Sequence, residues 1–209
     1  MSLELPYGDP TGLELRGLIQ AGDLDALGRL LAARPELVNA RMIGRHGVEG
    51  GWGTPLHAAT DWPGYFPNAP ATVALLLEAG ADVAADTGGD MPETPLHWAA
   101  SSDDVDVAVV LIDGGAELET PGGSIGTPLD NAVGYGCWHV ARLLVSRGAR
   151  VERLWQAAAL GLLDPLAAGA DIHATPDYAG DQSALETALG ADTRRSQLAE
   201  RLRQLGAEA

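Results

Sequence analysis

Thr94-Pro95-Leu96-His97, followed by Trp98-Ala99-Ala100, decides the fold of this chain, because its first four residues recur in similar form at two other places. Thr54-Pro55-Leu56-His57 precedes it, and Thr127-Pro128-Leu129-Asp130 begins 33 residues after Thr94. Threonine is a good helix N-cap, and proline fits the first turn of a helix. Each tetrad therefore predicts the start of a helix within a unit that recurs along the chain.

A second helix is predicted downstream of each tetrad. Mainly apolar runs at residues 74–77, 109–112 and 141–145 have helical spacing, so each helix buries one stripe of side chains. Gly-Ala follows each run, and glycine readily supplies the left-handed residue that ends a helix. The recurring unit is thus two short helices and a connector.

The tetrads, their spacing and the Gly-Ala endings resemble the ankyrin repeat, as found in ankyrin repeat domain proteins of bacterial type. The resemblance implies an all-α fold, a single-domain solenoid of about six helix–turn–helix repeats joined by short hairpin fingers. The predicted repeats are residues 11–40, 54–85, 94–119, 127–151, 152–173 and 183–209.

Two insertions interrupt the regular pattern. The connector at residues 39–54 is long and rich in glycine, and residues 61–70 enlarge the turn between two helices. Insertions in repeat arrays map to loops, often on the binding side. We therefore expect both segments to bear on function.

Charge is the second strong feature of the sequence. The chain has 29 acidic and 13 basic residues, every basic residue is Arg, and no Arg lies between His46 and Ala141. An acidic surface repels nucleic acid and anionic membranes and attracts cationic partners. Solubility alone is the other explanation, and the sequence leaves both open.

The sequence predicts no catalytic residue, no metal site and no cofactor, since no phosphate loop, zinc spacing or nucleophile motif is present. The resemblance implies a structural role for His57 and His97, which would hydrogen-bond the backbone between repeats. Cys137 is expected to be a small core or rim residue. A single cysteine, together with no apolar run of membrane length and no signal pattern, favours the cytoplasm.

A candidate binding surface follows from the resemblance, which implies that the residue after each tetrad and the residue three later line a concave groove. Aromatic and acidic residues of the neighbouring turns are expected along the same edge. The predicted partner-binding residues are Asp61, Trp62, Tyr65, Phe66, Trp98, Ser101, Asp103, Asp104, Asn131, Tyr135 and Trp138. The competing interpretation is that Trp98 and Trp138 pack in the core and that Asp103 or Asp104 caps a helix.

Two functions remain open at this point. The first is a non-enzymatic module that binds a basic protein or peptide through cation–π contacts and charge pairing. The alternative is a binding protein or enzyme for a small molecule, such as an organic cation, with residues 61–70 closing a pocket beside Trp98.

Overall fold

The computed structural model describes residues 3–43 and 52–162, and these residues are mainly helical. The helices are α1 (Pro10–Ala21), α2 (Leu24–Ala33), α3 (Pro55–Ala59), α4 (Ala69–Glu78), α5 (Pro95–Ser101), α6 (Val105–Asp113), α7 (Pro128–Gly134), α8 (Trp138–Ser146) and α9 (Leu154–Leu160), with a 3-10 helix at Pro35–Asn39. The all-α prediction fits this content.

The helices stack in two layers. The first helices of successive pairs, α1, α3, α5, α7 and α9, contact one another in sequence order, and so do α2, α4, α6 and α8. Within each pair the two helices also contact each other. The expected helix pairs are therefore present from α1 to α8, whereas the count of about six repeats and the continuous solenoid remain predictions.

Each tetrad starts a helix as predicted. Thr54, Thr94 and Thr127 are the N-caps of α3, α5 and α7, and in each case the fourth tetrad residue completes a capping box. The leucines of the tetrads, Leu56, Leu96 and Leu129, are buried between the layers. These leucines form one continuous core with the apolar stripes of the second helices.

Glycine ends three of the second helices in the same way. Gly80, Gly115 and Gly148 have φ of 95°, 95° and 105°. The amide of the alanine after each glycine donates to a carbonyl in the last turn, as in Ala81 N to Leu76 O at 2.9 Å. This is the Schellman arrangement, which requires a left-handed residue that only glycine adopts without strain.

A small sheet lies before the second helix pair. It consists of β1 (Glu4–Leu5), β2 (Arg41–Ile43) and β3 (Trp52–Gly53), with β1 parallel and β3 antiparallel to β2. β1 was not predicted from the sequence. The predicted long connector begins and ends in β2 and β3, while its residues 44–51 lie outside the described part of the chain. The same holds for the predicted second helix of the fifth repeat and the whole sixth repeat.

Candidate functional site

The histidines of the first two tetrads each bond their own helix to the connector that precedes the next tetrad. The amide and hydroxyl of Thr54 lie 3.1 and 2.9 Å from His57 Nδ1. Since the amide can only donate, Nδ1 is unprotonated and Nε2 carries the hydrogen. His57 Nε2 then donates to the carbonyl oxygen of Glu93 at 3.0 Å.

His97 repeats this geometry one unit later. Its Nδ1 accepts from the amide of Thr94 at 3.1 Å, and its Nε2 donates to the carbonyl oxygen of Gly126 at 3.0 Å. Burial lowers the pKa of the His97 imidazole below its ordinary value. The structural role expected for both histidines is confirmed.

Asp130 replaces histidine in the third tetrad. Like the histidines, it both accepts from the capping threonine and reaches the next unit. Asp130 Oδ2 accepts from the amide of Thr127 at 2.8 Å, and Oδ1 accepts from Gln156 Nε2 at 2.7 Å. A buried carboxylate thus joins α7 to α9 where an imidazole would have reached a backbone carbonyl.

The capped first helices and the insertion surround an open pocket of 510 Å³. Its lining residues are Asp61, Trp62, Glu93, Trp98, Ser101, Ser102, Ser124 and Tyr135. Trp62 and Tyr135 are largely exposed, and Trp98 is half-buried. None of the lining residues in the described part of the chain is basic, so the pocket combines aromatic rings, hydroxyls and carboxylates.

Glu93 is a polar group of this pocket that three hydrogen bonds hold in place. Its Oε1 accepts from the amide of Ser124 and from Asn131 Nδ2, both at 2.9 Å, and its Oε2 accepts from Trp98 Nε1 at 2.9 Å. Partial burial acts to raise the pKa of Glu93, but the hydrogen bonds from Ser124 and Asn131 outweigh it and hold the pKa below its usual value. The carboxylate is therefore ionised at neutral pH.

Trp98 has a fixed orientation in the pocket wall. Besides donating to Glu93, its ring meets the ring of His57 edge to face, with centroids 4.8 Å apart and an interplanar angle of 76°. Such aromatic pairs add about 0.5–1.5 kcal/mol beyond area burial. The ring is thus held in place before any ligand arrives.

The insertion at residues 61–70 packs against the turn that precedes α6. Tyr65 N donates to Asp104 Oδ2 at 2.7 Å, and the Tyr65 hydroxyl donates to the carbonyl oxygen of Asp103. Trp62 projects from this segment into the pocket wall, and the Tyr65 ring is exposed. The pocket beside Trp98 is open to solvent, so closure of the pocket by this insertion remains a proposal.

Asp103 and Asp104 cap two different helices. Asp104 is the N-cap of α6 and accepts from the amide of Val107. Asp103, with φ of 54°, reaches the next repeat, where its Oδ1 accepts from the amides of His139 and Val140 at the start of α8. The interpretation that Asp103 or Asp104 caps a helix is therefore confirmed: Asp104 caps α6 of its own unit, whereas the side chain of Asp103 caps α8 of the next one.

Five of the predicted binding residues share the pocket, namely Asp61, Trp62, Trp98, Ser101 and Tyr135. Asn131 is buried and supports Glu93 from below. Tyr65, Asp103 and Asp104 form the contact between the insertion and the turn. Phe66 and Trp138 are partly buried against the core and are not among the lining residues.

Glu93, Ser102 and Ser124 line the pocket but were not predicted from the sequence. For Glu93 a signal existed, because the residue before the tetrad is glycine in the other two units, Gly53 and Gly126. Only at Glu93 does this position carry a side chain. The backbone carbonyl of Glu93 accepts from His57 in the preceding repeat, while its carboxylate accepts from Asn131 in the following one.

Within residues 3–43 and 52–162, no group of three or more His, Cys, Asp or Glu side chains is arranged to hold a metal ion. Cys137 is buried, and burial raises the pKa of its thiol to about 11. The expected core role of Cys137 is confirmed by its burial, and a thiol with a raised pKa is a poor nucleophile at neutral pH.

No helix in the same part of the chain is long and apolar enough to cross a bilayer.

Comparison with known proteins agrees with the repeat geometry. The family model of ankyrin repeats matches three copies over residues 67–153. These residues contain α4 to α8, including the second and third tetrads and most of the pocket. No curated protein matches the chain at a significant level.

Proposed function

We propose that this chain, whose residues 67–153 match the family model of ankyrin repeats, is an ankyrin repeat protein and a non-enzymatic module that binds a basic protein or peptide. Ankyrin repeats generally mediate protein–protein interaction. The surface assigned to the partner is the layer of first helices and fingers around the pocket beside Trp98, where a finger is the connector that precedes each tetrad.

One observation carries the choice of a basic partner. An ionised carboxylate, Glu93, lies beside partly exposed aromatic rings in a pocket whose described lining has no basic residue. Aromatic faces attract cations, and a carboxylate forms charge-assisted hydrogen bonds with them. The net charge of −16 adds a long-range attraction for positive partners. The same charge argues against nucleic acid and anionic membranes as partners.

Short peptides that differ only in charge test this proposal. We expect peptides with Arg at fixed positions to bind, while peptides with Gln or Glu at those positions bind weakly or not at all. Fluorescence anisotropy of labelled peptides measures the affinity at low and at physiological ionic strength. Equal affinity for all three series would reject a basic partner.

A small organic cation is the second candidate ligand. The pocket volume of 510 Å³ falls within the range of about 300–1,000 Å³ that is usual for small-molecule sites. Calorimetry with free cations and with basic peptides separates the two candidates, since a peptide module requires the flanking residues for its affinity.

We place the protein in the cytoplasm, where a chain with a single cysteine needs no disulfide framework.

A further inference from the structure

We infer that the pocket beside Trp98 binds one guanidinium group, the side-chain head of an arginine in the partner, with Glu93 as its anchor. This inference rests on the proposed function and specifies the ligand group that the site selects.

Glu93 carries a charge that its hydrogen bonds do not neutralise. All three of its donors are neutral, namely the Ser124 amide, the Asn131 side-chain amide and the Trp98 indole. Among the described residues no cationic side chain lies within ion-pair distance of it. A partly buried carboxylate without a counter-charge has lost part of its solvation by water. The attraction of a bound cation would offset that loss of solvation free energy.

The geometry leaves one direction open on Glu93. A carboxylate accepts about four hydrogen bonds, and the three donors occupy two sites on Oε1 and one on Oε2. The remaining site lies on Oε2, the oxygen that faces the indole of Trp98. A cation that approaches it there therefore also meets the aromatic wall.

The rest of the lining favours guanidinium over ammonium. Hydroxyl groups of Ser101, Ser102 and Ser124 line the pocket together with the carboxylates of Glu93 and Asp61, so several hydrogen-bond acceptors are spread over its wall. A guanidinium offers five N–H donors in one plane, stacks on aromatic rings and is less strongly hydrated than an ammonium. An ammonium would satisfy fewer of these acceptors and pay more for desolvation.

The support is preorganised rather than assembled by the ligand. Trp98 is fixed by His57 and Glu93, and Asn131 is buried beneath Glu93 with a second contact to Ser101 Oγ at 3.3 Å. The Ser124 hydroxyl lies 3.1 Å from the hydroxyl of Tyr135, which joins the finger to the aromatic rim. Groups held in this way lose little conformational entropy on binding.

N-acetyl-L-arginine methylamide, with its lysine and citrulline counterparts, tests the inference on the full-length protein. Citrulline is the neutral isostere of arginine. We expect the arginine compound to shift the NMR signal of the Trp98 indole N–H saturably, the lysine compound to bind several-fold more weakly, and the citrulline compound to cause no saturable shift. Equal binding of arginine and citrulline, or of arginine and lysine, would overturn the assignment.

Variants locate the site. Glu93→Gln should weaken arginine binding by about tenfold, the loss expected for one charge-assisted hydrogen bond. Glu78→Gln is the matched control, because it changes the net charge equally at an exposed residue that ends the second helix α4, outside the fingers and the pocket lining. Trp62→Ala, at a side chain that is 78% exposed, tests the aromatic wall without threatening the fold and should weaken binding several-fold. Unchanged affinity in both Glu93→Gln and Trp62→Ala would reject this pocket.

The outcomes also separate this inference from the proposed function. If arginine peptides bind but neither variant affects them, the module stands and the guanidinium pocket falls. If N-acetylagmatine binds more tightly than the arginine compound and peptides add nothing, the guanidinium pocket stands and the ligand is a free small molecule. In that case the peptide-binding function is rejected.

Discussion

At the scale of single residues, the two pocket tryptophans should respond differently to truncation. Trp62 is exposed, so Trp62→Ala should change the free energy of unfolding by no more than about 0.5 kcal/mol. Trp98 is half-buried and bonds Glu93, so Trp98→Ala should cost about 1–3 kcal/mol of stability, less than a fully buried tryptophan. Both variants should weaken partner binding.

Urea unfolding and peptide affinity, measured on both variants, check this expectation. A Trp98→Ala variant that unfolds more easily but binds its partner normally would assign Trp98 to the core alone. Trp98→Phe is the control for ring volume, because it keeps an aromatic face but cannot donate to Glu93.

His97 makes stability depend on pH. Its pKa is lowered in the folded protein by burial, whereas in the unfolded chain it titrates near about 6.5. As the pH falls below the pKa of the unfolded chain, the unfolded state binds a proton at His97 while the folded state does not. The stability that neutral His97 provides is therefore present above the pKa of the unfolded chain and is lost on acidification. His97→Gln should therefore flatten the decline of unfolding free energy between neutral and mildly acidic pH. Identical pH slopes for the variant and the parent protein would contradict this.

At the scale of elements, Asp103 and Asp104 are expected to stabilise the helices that they cap, and a variant of Asp104 measures this contribution. Asp104→Ala removes the N-cap of α6 and an acceptor for the amide of Tyr65, and should cost about 0.5–2 kcal/mol. Asp106→Ala is the matched control, since Asp106 is an exposed acidic residue in the first turn of the same helix but is not its N-cap. Thermal unfolding followed by circular dichroism measures both. Equal losses would show that charge near the helix start, not the cap itself, stabilises α6.

The same elements show how far the sequence could predict the structure. The starts and ends of the helices follow from local signals, since the capping threonines and left-handed glycines act within a few residues. The roles of Asp103 and Glu93 could not be read in this way. Each side chain acts on the next repeat, across 36 residues from Asp103 to His139 and 38 from Glu93 to Asn131. Aromatic and acidic residues indicated the pocket, but the anchoring carboxylate depends on tertiary geometry.

At the scale of the whole molecule, stability should be shared between repeats. Leu96 is fully buried in α5, which contacts both α3 and α7. Leu96→Ala should therefore cost about 2–5 kcal/mol and lower the stability of the neighbouring repeats as well. Hydrogen exchange of amides in α3 and α7 would detect this spread. Faster exchange confined to α5 and α6 would show that the repeats unfold independently.

The net charge of −16 should govern the rate at which a basic partner associates. Long-range attraction raises association rates by about tenfold or more and weakens steeply as salt screens it. Stopped-flow mixing with an arginine peptide should thus show slower association at physiological than at low ionic strength, with dissociation much less affected. A rate independent of salt would leave the acidic composition as a matter of solubility alone.

The fourth residues of the three tetrads all join their own unit to a later part of the chain. The side chains of His57, His97 and Asp130 reach partners 36, 29 and 26 residues further on, at Glu93, Gly126 and Gln156. A ribosome releases the chain from its N-terminus, so each of these side chains waits for the next finger or helix before its bond can form. Completion of a repeat must then lag its own synthesis by roughly one repeat length. In a nascent chain arrested just before Glu93, Thr54 and His57 could form their capping box, but His57 Nε2 would lack its partner carbonyl until Glu93 is released.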